Sequence, residues 1–113
     1  MFGNLGQLAG LMTKLPKIKE EFEKTQQKLA QLSVEGDAGG GMVRVKMNGK
    51  FGVLAVTLSD EALQGKDKEL LEDLIVAAAN QAVEKVKQLV AAEMSQAASE
   101  LGLPPGFNIP GLV

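Results

Sequence analysis

A mostly apolar series runs through the first third of the chain: Leu8, Leu11, Leu15, Ile18, Phe22, Thr25, Leu29 and Leu32. Spacings that alternate three and four place these side chains on one stripe of an α-helix. Pro16 falls inside the series, where it removes a backbone donor and crowds the preceding turn. The helix therefore kinks there, or begins afresh with Pro16 in its first turn. Gly3, Gly6 and Gly10 weaken the stretch before it. The reading is a main helix from about Leu15 to Leu32, preceded by a kinked or frayed lead-in over residues 1–14.

The period then changes from helical to alternating. Ser33 to Ala38 reads as a short strand, and the run Gly39-Gly40-Gly41 turns the chain. From Met42 to Met47 the residues alternate, with Val43, Val45 and Met47 on one face and Met42, Arg44 and Lys46 on the other. Asn48-Gly49 is a hairpin signal because both residues tolerate positive φ. Phe51 to Leu58 follows as a third strand, and three closely linked strands imply an antiparallel meander. Ser59-Asp60-Glu61 reads as a short helical turn with a serine cap. Asp67 then caps a long helix to about Leu101, with Glu69, Glu72 and Asp73 near its positive end. Gly102 stops that helix and Pro104-Pro105 prevents its continuation. Residues 103–113 read as an extended tail. The expectation is an α+β fold, ordered α-β-β-β-α, with a three-stranded antiparallel sheet. It forms a single domain over residues 1–113, with no internal repeat and no linker.

The last helix is too long for a compact chain. Some 35 residues extend about 52 Å at 1.5 Å per residue. A compact chain of this size has a radius of gyration of only about 13 Å. Yet apolar positions Leu71, Ile75, Ala78, Ala82, Val86 and Leu89 continue for most of the helix. Three short strands and the first helix cover only part of them. A second copy of the chain is the simplest cover, which implies a homodimer with projecting helices. The competing reading is a bent or broken helix in a compact monomer.

Composition narrows the chemistry. The chain has 113 residues, no Cys and no His. Disulfides, thiolate chemistry and the commonest transition-metal ligand are therefore missing. No metal site and no cofactor are expected. Aromatic residues are four Phe, with no Trp and no Tyr, so aliphatic side chains and alanine supply the burial. The first basic residue, Lys14, follows the early apolar residues, which is the wrong order for a secretory signal. The run Leu74 to Ala79 is far short of the roughly 20 residues that span a bilayer. The expectation is a cytoplasmic protein without a membrane partner. Net charge is −2, but it is uneven: +1 over residues 1–36, +1 over 37–66 and −4 over 67–100.

Three basic groups are candidates for phosphate contact. At 100° per residue Lys14, Lys17, Lys24 and Lys28 fall within about 80° of one another, flanking the apolar stripe, with Lys19 elsewhere. Such a ridge suits nucleic acid, since phosphate contacts release counterions. Equally it is a solvated face with Glu–Lys pairs three and four apart, and Glu21 sits among the lysines. Periodicity alone favours the solvated face. Arg44, Lys46 and Lys50 occupy a hairpin free of acids between residues 42 and 52. They form a basic sheet surface or merely the wet face of a two-sided sheet. With no aromatic residue among them, single-strand stacking is disfavoured. Lys85 and Lys87 are the basic residues of the second half of the long helix, and a solubilising role is favoured for them. Gly39–Gly41 opens a strand and lacks the Gly-Lys-Ser/Thr of a phosphate loop. Glu69, Glu72 and Asp73 belong at a helix N-terminus for stability, and no nucleophile with an adjacent base is recognisable. The chain does not read as an enzyme.

Three segments in order carry a family resemblance. They are Gly39-Gly40-Gly41-Met42-Val43-Arg44-Val45-Lys46-Met47-Asn48-Gly49, then Asp67-Lys68-Glu69-Leu70-Leu71-Glu72-Asp73-Leu74-Ile75, and the tail Leu101-Gly102-Leu103-Pro104-Pro105-Gly106-Phe107. From about Leu5 to Phe107 the chain resembles the YbaB/EbfC family of small bacterial nucleoid-associated DNA-binding proteins. The resemblance implies the α-β-β-β-α fold, a tweezer-like homodimer and no enzymatic activity. It also implies double-stranded DNA held between helical prongs, and a place in the nucleoid. On that geometry Lys14, Lys17, Lys24 and Lys28 are the first DNA-contact candidates, with Lys85 and Lys87 second. Arg44, Lys46 and Lys50 are further ones. Base reading favours Arg, Asn or Gln in a groove, and the chain has one Arg, so low sequence specificity is expected. The rival expectation is a protein-interaction or scaffolding dimer that does not touch DNA, which the acidic long helix favours. In that case other proteins are its partners.

Overall fold

The computed structural model describes residues 3–103. Its elements are α1 (Gly3–Gln31), β1 (Ser33–Ala38), β2 (Val43–Asn48), β3 (Val53–Leu58), α2 (Asp60–Gln64) and α3 (Lys68–Glu100). The strands form one antiparallel sheet in the order β1-β2-β3. The fold class is therefore the expected α+β, with α2 as the short capped turn. The tail expected beyond residue 103 lies outside the described residues.

Side-chain chemistry sets most of the boundaries. Ser59 caps α2, its hydroxyl accepting from the Ala62 amide at 3.1 Å. The Asp67 carboxylate caps α3 by accepting from the Leu70 amide at 3.0 Å. At the far end Gly102 takes φ +71°. The Leu103 amide reaches back to the Ala98 carbonyl at 2.9 Å, and the Gly102 amide reaches the Ser99 carbonyl at 3.0 Å. That pair of bonds is a Schellman closure, which satisfies carbonyls the helix end would leave bare.

Two local readings differ from the sequence expectation. First, α1 begins at Gly3, not near Leu15, and contains Pro16 within it. Proline leaves the carbonyl four residues earlier without its amide partner. Met12 and Pro16 are both exposed, so water can serve that carbonyl. Second, the hairpin after β2 does not place Gly49 at positive φ; Phe51 takes the left-handed conformation, at φ 63°. The Asn48 side chain organises the turn, its Oδ1 accepting from the amides of Lys50 and Gly52, each at 2.9 Å. Gly49 is needed for closeness instead. Its amide donates to the Leu29 carbonyl at 2.9 Å and to the Leu32 carbonyl at 3.1 Å. A Cβ there would collide with the Leu29 backbone. The hairpin tip thus caps the C-terminal end of α1.

The core lies between α3 and the β1–β2 half of the sheet. Val43, Val45 and Met47 on the inner face of β2 meet Ala78, Ala82 and Val86 of α3, all buried. Beside them β1 sits so close to α3 that a Cβ on Gly36 would overlap the Ala78 carbonyl oxygen. The radius of gyration is 19.9 Å and the extents are 69 × 25 × 17 Å. A compact chain of this length would have a radius of about 13 Å, so the molecule is strongly elongated.

Gly36→Ala is expected to destabilise the protein by about 1–3 kcal/mol through overpacking against helix backbone. Gly10→Ala, with open space around a built Cβ within α1, is expected to stabilise by about 0.5–1 kcal/mol. Urea unfolding of the two variants at one protein concentration checks both signs.

Candidate nucleic-acid interface

The basic residues singled out in the sequence fall into three separate environments. On α1, Lys14 and Lys17 are exposed and make no ion pair among the described residues. Lys24, further along, lies 3.5 Å from Glu20 and 3.6 Å from Glu21 within the same helix. Lys28 reaches across to α3, its Nζ 2.9 Å from Glu93 Oε2. The expected ridge therefore exists as a row on one helix, but its two halves differ electrically.

Lys24 and Lys28 border a cleft of about 200 Å³ between α1 and α3. Glu21, Thr25, Glu93, Gln96, Ala97 and Glu100 complete its lining. Three carboxylates face two ammonium groups there, so the cleft is no cradle for phosphate. Thr25, at an apolar position of the stripe, is buried and returns its hydroxyl to the Glu21 carbonyl at 2.9 Å.

The sheet residues are similarly engaged. Arg44 Nη1 lies 3.4 Å from Glu35 Oε1. In the β1–β2 register Glu35 stands opposite Lys46, and Asp37 opposite Arg44. Opposite charges across strands balance that face. The composition of the hairpin alone hid this, because the acids sit on β1. Lys50 is exposed in the β2–β3 turn.

On α3, Lys85 and Lys87 have different jobs. Lys87 pairs with Glu84 at 3.3 Å on the helix surface. The Lys85 ammonium donates to the Glu35 backbone carbonyl at 2.7 Å. One turn earlier Gln81 Oε1 accepts from the Asp37 backbone amide at 2.7 Å. Both bonds reach backbone groups of β1, an edge strand. Side chains of α3 thus seal that edge, which would otherwise template further pairing.

The opposite edge has no such cover. β3 exposes Val53, Leu54 and Val56, with Phe51 beside them, each about half accessible. Val56 pairs with Val45, so it shares the inner face of the sheet, yet α3 leaves it open. The sequence carried a signal for this. Val53-Leu54-Ala55-Val56 is continuously apolar rather than alternating, the mark of a strand meant to be covered on both faces.

Among the described residues no group of three or more His, Cys, Asp or Glu could hold a metal ion. No helix of the described residues is long and apolar enough to cross a membrane.

The model of the YbaB/EbfC DNA-binding family matches residues 4–101. The nucleoid-associated protein MCA1327 of Methylococcus capsulatus is 43% identical over 103 residues, covering 91% of this chain and 95% of that protein. Among solved structures, the fold is similar to that of the uncharacterized protein HP0035 from Helicobacter pylori. The TM-score is 0.64 at 29% identity, covering 86% of this chain and 96% of the other.

Lys85→Met is expected to cost about 1 kcal/mol, since it strips a charged donor from the β1 edge. Lys87→Met is expected to stay within about 0.5 kcal/mol, as surface substitutions generally do. Thermal unfolding of both variants, with circular dichroism of the native state, separates a bracing lysine from a merely solvated one.

Proposed function

The chain belongs to the YbaB/EbfC DNA-binding family, and from that premise we propose that it acts as a homodimer on double-stranded DNA in the nucleoid. This is a DNA-binding family, not a family of enzymes. In this reading, lysines of α1 make mainly phosphate contacts and sequence specificity is low.

The observation that carries the proposal is the exposed lysines Lys14 and Lys17, without an ion pair among the described residues, on a helix of 29 residues in an elongated molecule. Cations presented in this way gain by displacing counterions from a duplex, whatever its sequence. Base reading has little to work with, because the single Arg is paired with Glu35. The name of the Methylococcus capsulatus relative supports the nucleoid as the setting.

The uncovered β3 strand supports the homodimer. An unpaired edge flanked by half-exposed Val53, Leu54 and Val56 is a costly surface for an isolated chain. A second copy offers the same apolar strand in a self-complementary, two-fold arrangement.

A protein-interaction dimer is the second reading. Its support is the −4 charge over residues 67–100 and the exposure of Leu70 and Val76 on α3. In that case the acidic α3 meets a protein and the lysines of α1 are incidental.

Fluorescence anisotropy on a short random-sequence duplex across a salt series tests the leading reading. Affinity is expected to fall linearly in log–log form with a slope of several units, about 0.9 per phosphate engaged. A folded dimer that ignores the duplex at low salt would move the function to protein partners. Val56→Asp is expected to yield folded monomers by sedimentation and, with half of the lysines lost from each complex, a slope about halved.

A further inference from the structure

We infer that Glu93 is an internal counter-charge that latches Lys28 to α3 and withholds it from phosphate, so that DNA engages the distal half of α1, at Lys14 and Lys17. The inference rests on the DNA-binding reading above and narrows it to part of the lysine row.

Lys28 and Glu93 form the shortest ion pair among the described residues, 2.9 Å against 3.3–3.8 Å for the others. It is also the one that ties two helices together. The Glu93 side chain is only 16% exposed, so its carboxylate has given up much of its water and relies on the ammonium. A phosphate arriving at Lys28 has to displace that partner. It also has to approach Glu21 and Glu100, which line the same cleft. Within a Debye length of about 8–10 Å at ordinary ionic strength, these carboxylates repel it together.

Distance releases the other end of the row. Lys17 and Lys14 stand 11 and 14 residues before Lys28, or about 16 and 21 Å along the helix axis. Both spans exceed the Debye length, so the Glu93 charge is screened there. Glu20 and Glu21 are close enough in sequence to reach Lys17, but Lys24 engages both. Neither carboxylate is paired with Lys17, so a phosphate reaching the distal lysines displaces no ion partner among the described residues. Lys14 and Lys17 thus present unengaged ammonium groups among the described residues, although the chain carries −2 overall.

The test compares full-length wild type with Lys28→Gln, Glu93→Gln and the double variant Lys14→Gln/Lys17→Gln. Each is titrated with the random-sequence duplex across salt, and each is eluted from phosphocellulose, which presents phosphates without a duplex. Lys28→Gln is expected to change affinity less than about twofold and leave the slope unaltered. Lys14→Gln/Lys17→Gln is expected to flatten the slope by up to about 1.8 units per protomer. Glu93→Gln is expected to tighten binding and steepen the slope by up to about 0.9 per protomer. Adding Lys28→Gln to Glu93→Gln is expected to cancel that gain. The charge-swapped variant K28E/E93K keeps the latch and should retain the wild-type slope, which covers the case in which Glu93→Gln unfolds. A slope that flattens as much for Lys28→Gln as it does per lysine for Lys14→Gln/Lys17→Gln overturns the inference, as does a slope unmoved by Glu93→Gln. Phosphocellulose retention in the expected order, without duplex binding, supports the latch while refuting the DNA reading. No retention of the wild type on either phosphate surface overturns both.

Discussion

The approach of Gly36 to Ala78 and Ala82 is the contact on which the rest of the molecule depends. Strand backbone rests on helix backbone there, with no room for a Cβ between them. The closeness draws α3 over β1, which lets Gln81 and Lys85 reach the backbone of that strand. It also fixes where the helix cannot go. Centred on β1 and β2, α3 covers Val43, Val45 and Met47 and leaves Val56 of β3 open. One edge of the sheet is sealed and the other is free because a single pair of surfaces meets at glycine–alanine distance.

The same placement determines the long axis. Three strands offer cover for only a few turns, so α3 continues past the sheet towards Glu93 and Glu100. α1 joins it there, and two contacts hold it. One is the hairpin tip, where Gly49 caps the Leu29 and Leu32 carbonyls. The other is the Lys28–Glu93 pair, together with the buried Leu29 and Thr25 beside it. Neither contact involves the first half of the helix. Met12 and Leu15 are correspondingly exposed, as are the lysines beside them.

Much of this architecture is legible in the sequence because it depends on local chemistry. The alternation of Val43, Val45 and Met47, the caps Ser59 and Asp67, and the stop at Gly102 each follow from a few adjacent residues. What the sequence does not display is contact between distant segments. Asn48-Gly49 marks a hairpin correctly, but the reason for Gly49 lies 20 residues away at Leu29. Lys85 reads as a solvated helix residue, yet its partner is a backbone carbonyl 50 positions earlier. Pro16 looks like a break because propensity counts the lost bond and cannot see that the helix turns its proline and Met12 out to solvent. The lysine row was visible on a helical wheel, but its division was not, since Glu93 lies 65 residues from Lys28.

That division bears on how an acidic chain can serve a polyanion. Net charge governs long-range attraction, but at ordinary ionic strength screening limits each group to about 8–10 Å. A molecule 69 Å long is therefore several electrostatic neighbourhoods, not one. The −4 of residues 67–100 falls almost wholly on α3, whose surface repels a duplex laid along it. Lys14 and Lys17 lie on α1 beyond the cleft that Glu21, Glu93 and Glu100 line. On the proposed reading, an acidic α3 beside basic positions on α1 restricts where a duplex could rest, without a base being read. Lys28, already matched by Glu93, is the point at which the lysine row is tied electrostatically to the acidic helix.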